Sequence, residues 1–144
     1  MTLEVRLAGP ADLPAAWALR HEVFVVGQGV PEDMELDEHD CTCDQAVALR
    51  DGVVVGTGRL LPPGPDGAAV VGRMAVAESA RGQGAGAAVL GLLEQRARSR
   101  GWQTVELHAQ LHARGFYHRA GYAPYGEVYL EAGIEHVSMR KPLA

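Results

Sequence analysis

The segment Arg81-Gly82-Gln83-Gly84-Ala85-Gly86 has the residue types and spacing to hold a pyrophosphate. Glycines remove the side chains that would keep a ligand off the backbone amides, and a helix start adds unpaired N–H groups and partial positive charge. Arg81 contributes a permanent cation. The Gly-Lys-Ser/Thr ending of a nucleoside triphosphate P-loop is missing. Gly82 to Ala87 satisfies a permissive dinucleotide pattern, and Glu106 follows at about the 20-residue spacing that a Rossmann fold uses. The preceding strands read as hairpins, however, and too little chain follows to build a second Rossmann half. A plain strand-to-helix turn, with glycine chosen for packing, is the other alternative.

Two further groups could do chemistry. Cys41 and Cys43 flank one residue, with His39 close by. A zinc site needs four ligands with wider separation between pairs, so these read as solvated loop thiols and no metal is expected. The acids Glu32, Asp33, Glu35, Asp37, Glu38, Asp40 and Asp44 crowd residues 28–44, as a solvated loop face or a surface that attracts a cation.

A chain of 144 residues with 47% hydrophobic and 22% charged residues is expected to form one domain, residues 1–144, with a real core. The formal charge of −5, from 13 basic and 18 acidic residues, argues against a nucleic-acid partner, which needs clustered cations. No apolar run approaches the roughly 20 residues of a membrane span, and Met1 to Pro10 lacks the form of a signal peptide. A cytoplasmic location is the default expectation.

The elements that must position these residues follow from periodicity. Residues 2–8 alternate weakly as a first strand. Asp12 can cap a helix carrying Pro14 in its first turn, with Ala16, Leu19, Val23 and Val26 on one face and Gly27 as its stop. Residues 28–44 read as a loop or broken helix. Gln45–Arg50 and Val53–Leu61 flank Asp51-Gly52 as a hairpin, and Ala68–Val76 forms the next strand. Beyond the glycine turn, Ala85, Val89, Leu92, Leu93 and Ala97 mark a helix that Gly101 closes, with Arg96, Arg98 and Arg100 at its negative end. A strand over Thr104–Ala109, a short helix over Leu111–Ala120 and strands over Tyr122–Tyr129 and Glu135–Lys141 complete the order β-α-β-β-β-α-β-α-β-β. The fold class is α+β with a mostly antiparallel sheet.

Arg81 to Gly86 resembles the coenzyme A signature Arg/Gln-x-x-Gly-x-Gly/Ala of the GNAT (Gcn5-related N-acetyltransferase) superfamily. Gln110 to Tyr122 resembles its second landmark, an aromatic-Tyr pair followed by Gly-Phe/Tyr. The ElaA-like branch is the nearer resemblance, carried by Val23-Phe24-Val25-Val26 with Gln28 and Pro31, by Gly72-Arg73, by Ala109-Gln110 with His112, and by Gly133-Ile134 with His136 and Met139. The matches span about residues 20–140. Two positions depart from that branch: Gly27 stands where Glu is usual, and Ala46 near where His is frequent.

The resemblance implies the GNAT fold, a mixed sheet whose middle strands splay and whose faces carry helices. It also implies acetyl-CoA as co-substrate. The strand ending at Val76 would carry a bulge and bind pantetheine along Met74, Ala75 and Val76, where an amide would steady the thioester oxygen. Arg81, Gly82, Gln83, Gly84, Ala85 and Gly86 would hold the pyrophosphate, and Gln110 and Phe116 would flank the coenzyme. Tyr117 matches the tyrosine that faces the coenzyme sulfur, and a phenol can donate a hydrogen bond as the thiolate forms; its alternative is a packing aromatic. His136 and His112 both match family positions and are candidate bases, and a structural role is the alternative for each. Asp37 and Asp40 match family acids and read as turn residues. Phe24, Gln28 and Arg73 would border the acceptor, and a cation at Arg73 implies that the acceptor also carries a carboxylate or other hydrogen-bond-accepting group, as an amino-acid-like or peptide-terminal amine does.

The expected activity is therefore transfer of an acetyl group from acetyl-CoA to a primary amine, on a small molecule or a peptide, by direct attack. No Cys or Ser stands in a nucleophile motif. A non-catalytic acyl-CoA sensor and a nucleotide-binding redox domain are the rivals. Whether the chain acts alone or as a homodimer stays open.

Overall fold

The computed structural model describes residues 3–143. Its β2 strand (Asp44–Arg50) sends Ala46 and Ala48 into one core cluster and Val47 and Leu49 into another, and all four are buried. A strand buried on both faces sits between two layers. The helix α3 (Ala85–Ser99) covers the first face with Ala85, Val89, Leu90, Leu93 and Ala97. The helix α1 (Leu13–Arg20) covers the second with Ala16 and Trp17.

The remaining strands are β1 (Leu3–Leu7), β3 (Val53–Leu61), β4 (Ala69–Val76), β5 (Thr104–Gln110), β6 (Ala123–Glu131) and β7 (Ile134–Pro142). They form one seven-stranded sheet in the order β1-β2-β3-β4-β5-β7-β6, antiparallel throughout except for β4 beside β5. Short helices α2 (Glu32–Glu35) and α4 (Arg114–Arg119) complete the chain. The element order and the mostly antiparallel sheet are those expected from the sequence. The beginning of the expected first strand, at residue 2, lies outside the described residues. The arginines closing α3 are placed as the helix dipole favours: Arg96 and Arg100 reach Asp44 at 3.1 and 3.0 Å, and Arg98 donates to the Leu143 carbonyl.

The first helix departs from expectation in two ways. The chain enters it through a 3-10 turn, Pro10–Asp12, so Asp12 is already helical and caps that turn by accepting from the Gly9 amide at 2.9 Å. The helix then widens into a π turn over His21–Val26, closed by the Gly27 N–H donating to the Glu22 carbonyl. A wider turn breaks the 3.6-residue period, which is why Val26 is 64% exposed rather than on the buried face. A Cβ on Gly27 would stand 2.6 Å from the Val23 carbonyl oxygen, so the Glu usual in the ElaA-like branch would need this turn rearranged.

The middle of the sheet is split. The strands β4 and β5 pair only at Ala69–Val105, Val70–Glu106 and Val71–Leu107 and then diverge. Just past that point Arg59 pairs with Gly72 and Thr57 with Ala75, so Arg73 and Met74 together oppose the single residue Gly58. This is a β-bulge, with Arg73 at φ 53°, and it bends β4 away from its neighbour. A Cβ on Gly58 would lie 2.5 Å from Met74 Sδ and 3.0 Å from Val89 in α3, so glycine is what lets the bulge seat.

Candidate active site

The split opens a groove of about 800 Å³ between β4 and β5. Beyond Val71 the β4 edge facing β5 has no strand partner, which leaves backbone groups short of the Val76 carbonyl free to pair with an extended ligand. The β4 residues Met74, Ala75 and Val76 line the groove, as do Arg81, Gln110, Tyr117, His136, Phe24, Gln28 and Arg73. One opening therefore gathers residues from the first helix, the bulged strand, the glycine turn and the last hairpin.

At one end of it stands the glycine turn. Gly82 and Gly84 adopt φ 79° and 88°, a region that L side chains rarely enter. Ala88 N–H donates to the Gly84 carbonyl, while the amides of Gly82, Gln83, Gly84, Ala85, Gly86 and Ala87 have no protein acceptor among the described residues. Arg81 folds back to the Val76 carbonyl at 3.3 Å, which places its guanidinium beside the end of β4. The side chains divide otherwise: Gln83 turns outward to Arg50 at 2.8 Å, and Ala85 is buried in the core. Gly86 is small for packing, since a Cβ there would stand 3.4 Å from Phe116, which lies against the helix start.

Tyr117 projects from α4 into the groove with a ring that is 9% exposed and packs edge-on to Phe116 and Tyr122. Its hydroxyl has no protein partner among the described residues, and burial pushes its pKa up to about 12. His136 is buried on β7, stacked on Tyr129 at 5.9 Å. Its Nδ1 lies 2.7 Å from the Ile134 carbonyl oxygen, which can only accept. The proton of the neutral ring therefore sits on Nδ1, leaving the Nε2 lone pair free. His112 is exposed on the same rim and contacts Gln110 Oε1 at 2.7 Å. Gln110 and Gln28 exchange amide hydrogen bonds at 2.8 and 3.2 Å, tying the loop after the first helix to the end of β5.

The acidic loop is held by arginines rather than spread in solvent. Arg20, 1% exposed, donates to the Glu35 carboxylate at 2.6 Å, to Asp40 at 2.5 Å and to the Glu35 carbonyl. Arg59 binds Asp37 through both terminal nitrogens at 2.7 and 2.8 Å, and holds the Asp37 pKa down at about 2. Arg73 donates to the Glu35 and Met34 carbonyls, and burial beside Arg59 and Arg20 lowers its pKa. Asp37 and Asp40 are turn residues as expected: Asp37 accepts from His39 N–H, and Asp40 from Asp37 N–H. The expectation of a wholly solvated acidic face fails at Glu35 and Asp40, because buried arginines need buried partners.

Other residues of chemical type lie elsewhere. Glu106 is occupied by His108, Tyr125 and Arg140, within a sheet whose order is not that of a Rossmann fold. Ala46 is buried in the α3-side core, away from the groove. Cys43 is half-buried, its thiol pushed up to about 11 by burial, which keeps it from acting as a nucleophile.

Comparison with known proteins places this geometry. The family model described as "Acetyltransferase (GNAT) domain" matches residues 15–143. Protein ElaA of Escherichia coli is 34% identical over 135 residues, covering 91% of this chain and 88% of that protein. The crystal structure of Escherichia coli ElaA superposes with a TM-score of 0.84 at 29% identity, covering 97% of this chain and 99% of that one. An acyl-CoA N-acyltransferase from Pseudomonas aeruginosa is 37% identical, with a TM-score of 0.84 over 97% of this chain and 99% of its own.

Proposed function

Because the chain belongs to the GNAT acetyltransferase family, in its ElaA-like branch, we propose that it moves an acetyl group from acetyl-CoA to a primary amine by direct attack. The observation that carries the reading is a groove that runs along the unpaired β4 edge and reaches Arg81, the residue that opens a turn of free amides. An extended pantetheine amide chain ending in a pyrophosphate fits that pairing of features.

Acetyl-CoA supplies an activated acyl thioester. Arg81 and the amides of residues 82–87 hold the pyrophosphate. The backbone at Met74, Ala75 and Val76 aligns the pantetheine and directs an amide at the thioester oxygen, where negative charge builds up. Gln110 and Phe116 flank the coenzyme, and Phe24, Gln28 and Arg73 border the acceptor. An ammonium with an ordinary pKa is neutral in only about one molecule in 10³ at pH 7, so a proton must be removed. His136 takes it on Nε2, the nitrogen that the Ile134 contact leaves unprotonated. As the new C–N bond forms and the C–S bond breaks, the Tyr117 hydroxyl donates a hydrogen bond to the leaving thiolate, and the amine's second proton passes through solvent, which also protonates the thiolate. Amine-dependent appearance of the coenzyme thiol, with acetylated amine in equal amount, tests this reading. Thiol release that ignores the amine would remove it.

A further inference from the structure

Three carboxylates line the groove: Glu35, Asp37 and Glu131. The first two belong to the arginine cluster, in which Arg20, Arg59 and Arg73 balance Glu35, Asp37 and Asp40, three cations against three anions. Glu131 has no Lys or Arg partner among the described residues. Its charged neighbour is His136, with Nε2 at 3.7 Å, and its side chain is 50% exposed. The last hairpin fixes it there, because Ala132 and Gly133 adopt φ 51° and 76° in a tight turn that pairs Glu131 with Ile134. The sequence led to the expectation that Arg73 would meet a carboxylate on the acceptor. The structure weakens its basis, since Arg73 Nε and Nη2 donate to the Glu35 and Met34 carbonyls and to Asp37, and its charge is balanced within the cluster.

Apart from Arg81, whose cation adjoins the glycine turn, the groove thus presents one unbalanced charge, the Glu131 carboxylate beside the candidate base, with Val30, Met34 and Ile134 among its apolar walls. Resting on the acyl-transfer reading, we propose that the acceptor is a primary monoamine with an apolar body and no carboxylate, held as its ammonium by Glu131 next to His136. An ammonium docked on Glu131 lies within reach of Nε2, which then removes the proton. A carboxylate next to the amine would instead be brought against Glu131 and repelled.

The test compares 2-phenylethylamine with L-phenylalanine, which share ring and amine and differ by the carboxylate. Thiol release from acetyl-CoA gives kcat/KM for each, and calorimetry gives binding of each amine to the protein. The amine without the carboxylate should be favoured by about tenfold or more. Glu131→Gln should raise its KM about tenfold, the size of one charge-assisted contact, and leave phenylalanine nearly unchanged. Equal or better use of phenylalanine, an unchanged KM in the variant, or no binding of either amine overturns the proposal. Binding of 2-phenylethylamine that depends on Glu131 without any thiol release upholds the ammonium site and overturns acyl transfer instead.

Discussion

Replacing Tyr117 with Phe separates chemistry from packing at a single atom. The ring is buried against Phe116 and Tyr122 and keeps those contacts in the variant. The hydroxyl lacks a protein partner among the described residues, so its loss should change stability by less than about 0.5 kcal/mol, or about 2 °C in Tm. Its raised pKa of about 12 sets its catalytic role. An ordinary thiol has a pKa near 8.5, so complete proton transfer to the sulfur would be uphill by about 5 kcal/mol. Tyr117 therefore stabilises the leaving sulfur through a charge-assisted hydrogen bond, worth about 1.5–3 kcal/mol. Turnover should fall by about 10- to 10²-fold, with the dissociation constant for coenzyme A within about twofold of wild type. The assay is amine-dependent thiol release at saturating acetyl-CoA, read beside a melting curve and a coenzyme titration. Unchanged turnover, or a loss matched by weaker coenzyme binding and lower Tm, would refute the assignment.

Other outcomes follow from the same contacts. Coenzyme A should raise the Tm of the wild-type protein, and Gly84→Val should abolish that rise, since φ 88° strains any side chain and Val bars the approach to the amides. His136→Gln should lower turnover most near neutral pH, with the defect shrinking at high pH as free amine becomes abundant; a pH-independent loss would return the role to water or His112. Asp37 has a folded pKa of about 2 against an ordinary 3.8, so its stabilisation is present above pH 4 and is lost as pH falls toward 2. Discounted for its partial exposure, that is about 1–2 kcal/mol. Asp37→Asn should lower the unfolding free energy at pH 7 by that amount, read as a lower Tm in melting curves, and the gap from wild type should close in acid.

What the sequence disclosed was local. The Asp51-Gly52 hairpin, the helix over Ala85–Ser99 and the glycines at 82 and 84 could be read because turn chemistry and periodicity act over a few neighbouring residues. The π turn at His21–Val26 could not, since no short pattern marks a change of helical period. Arg20 with Glu35 and Asp40, and Arg59 with Asp37, join residues 15 to 22 positions apart, so seven acids in a loop looked like solvated charge. The Gln28–Gln110 pair was invisible for the same reason, being 82 positions apart. The groove residues named from the sequence came together because the family motifs carried their spacing. What those motifs could not carry was which charges the fold neutralises, and that decides how the acceptor end is read.

The most direct measurement follows acetyl-CoA, an apolar primary amine and the protein itself by mass spectrometry. Direct transfer predicts acetylated amine and free coenzyme thiol in equal amounts, formed only when amine is present, with the protein mass unchanged. Coenzyme A that binds without any amine-dependent thiol, or an acetyl group left on the protein, would contradict it.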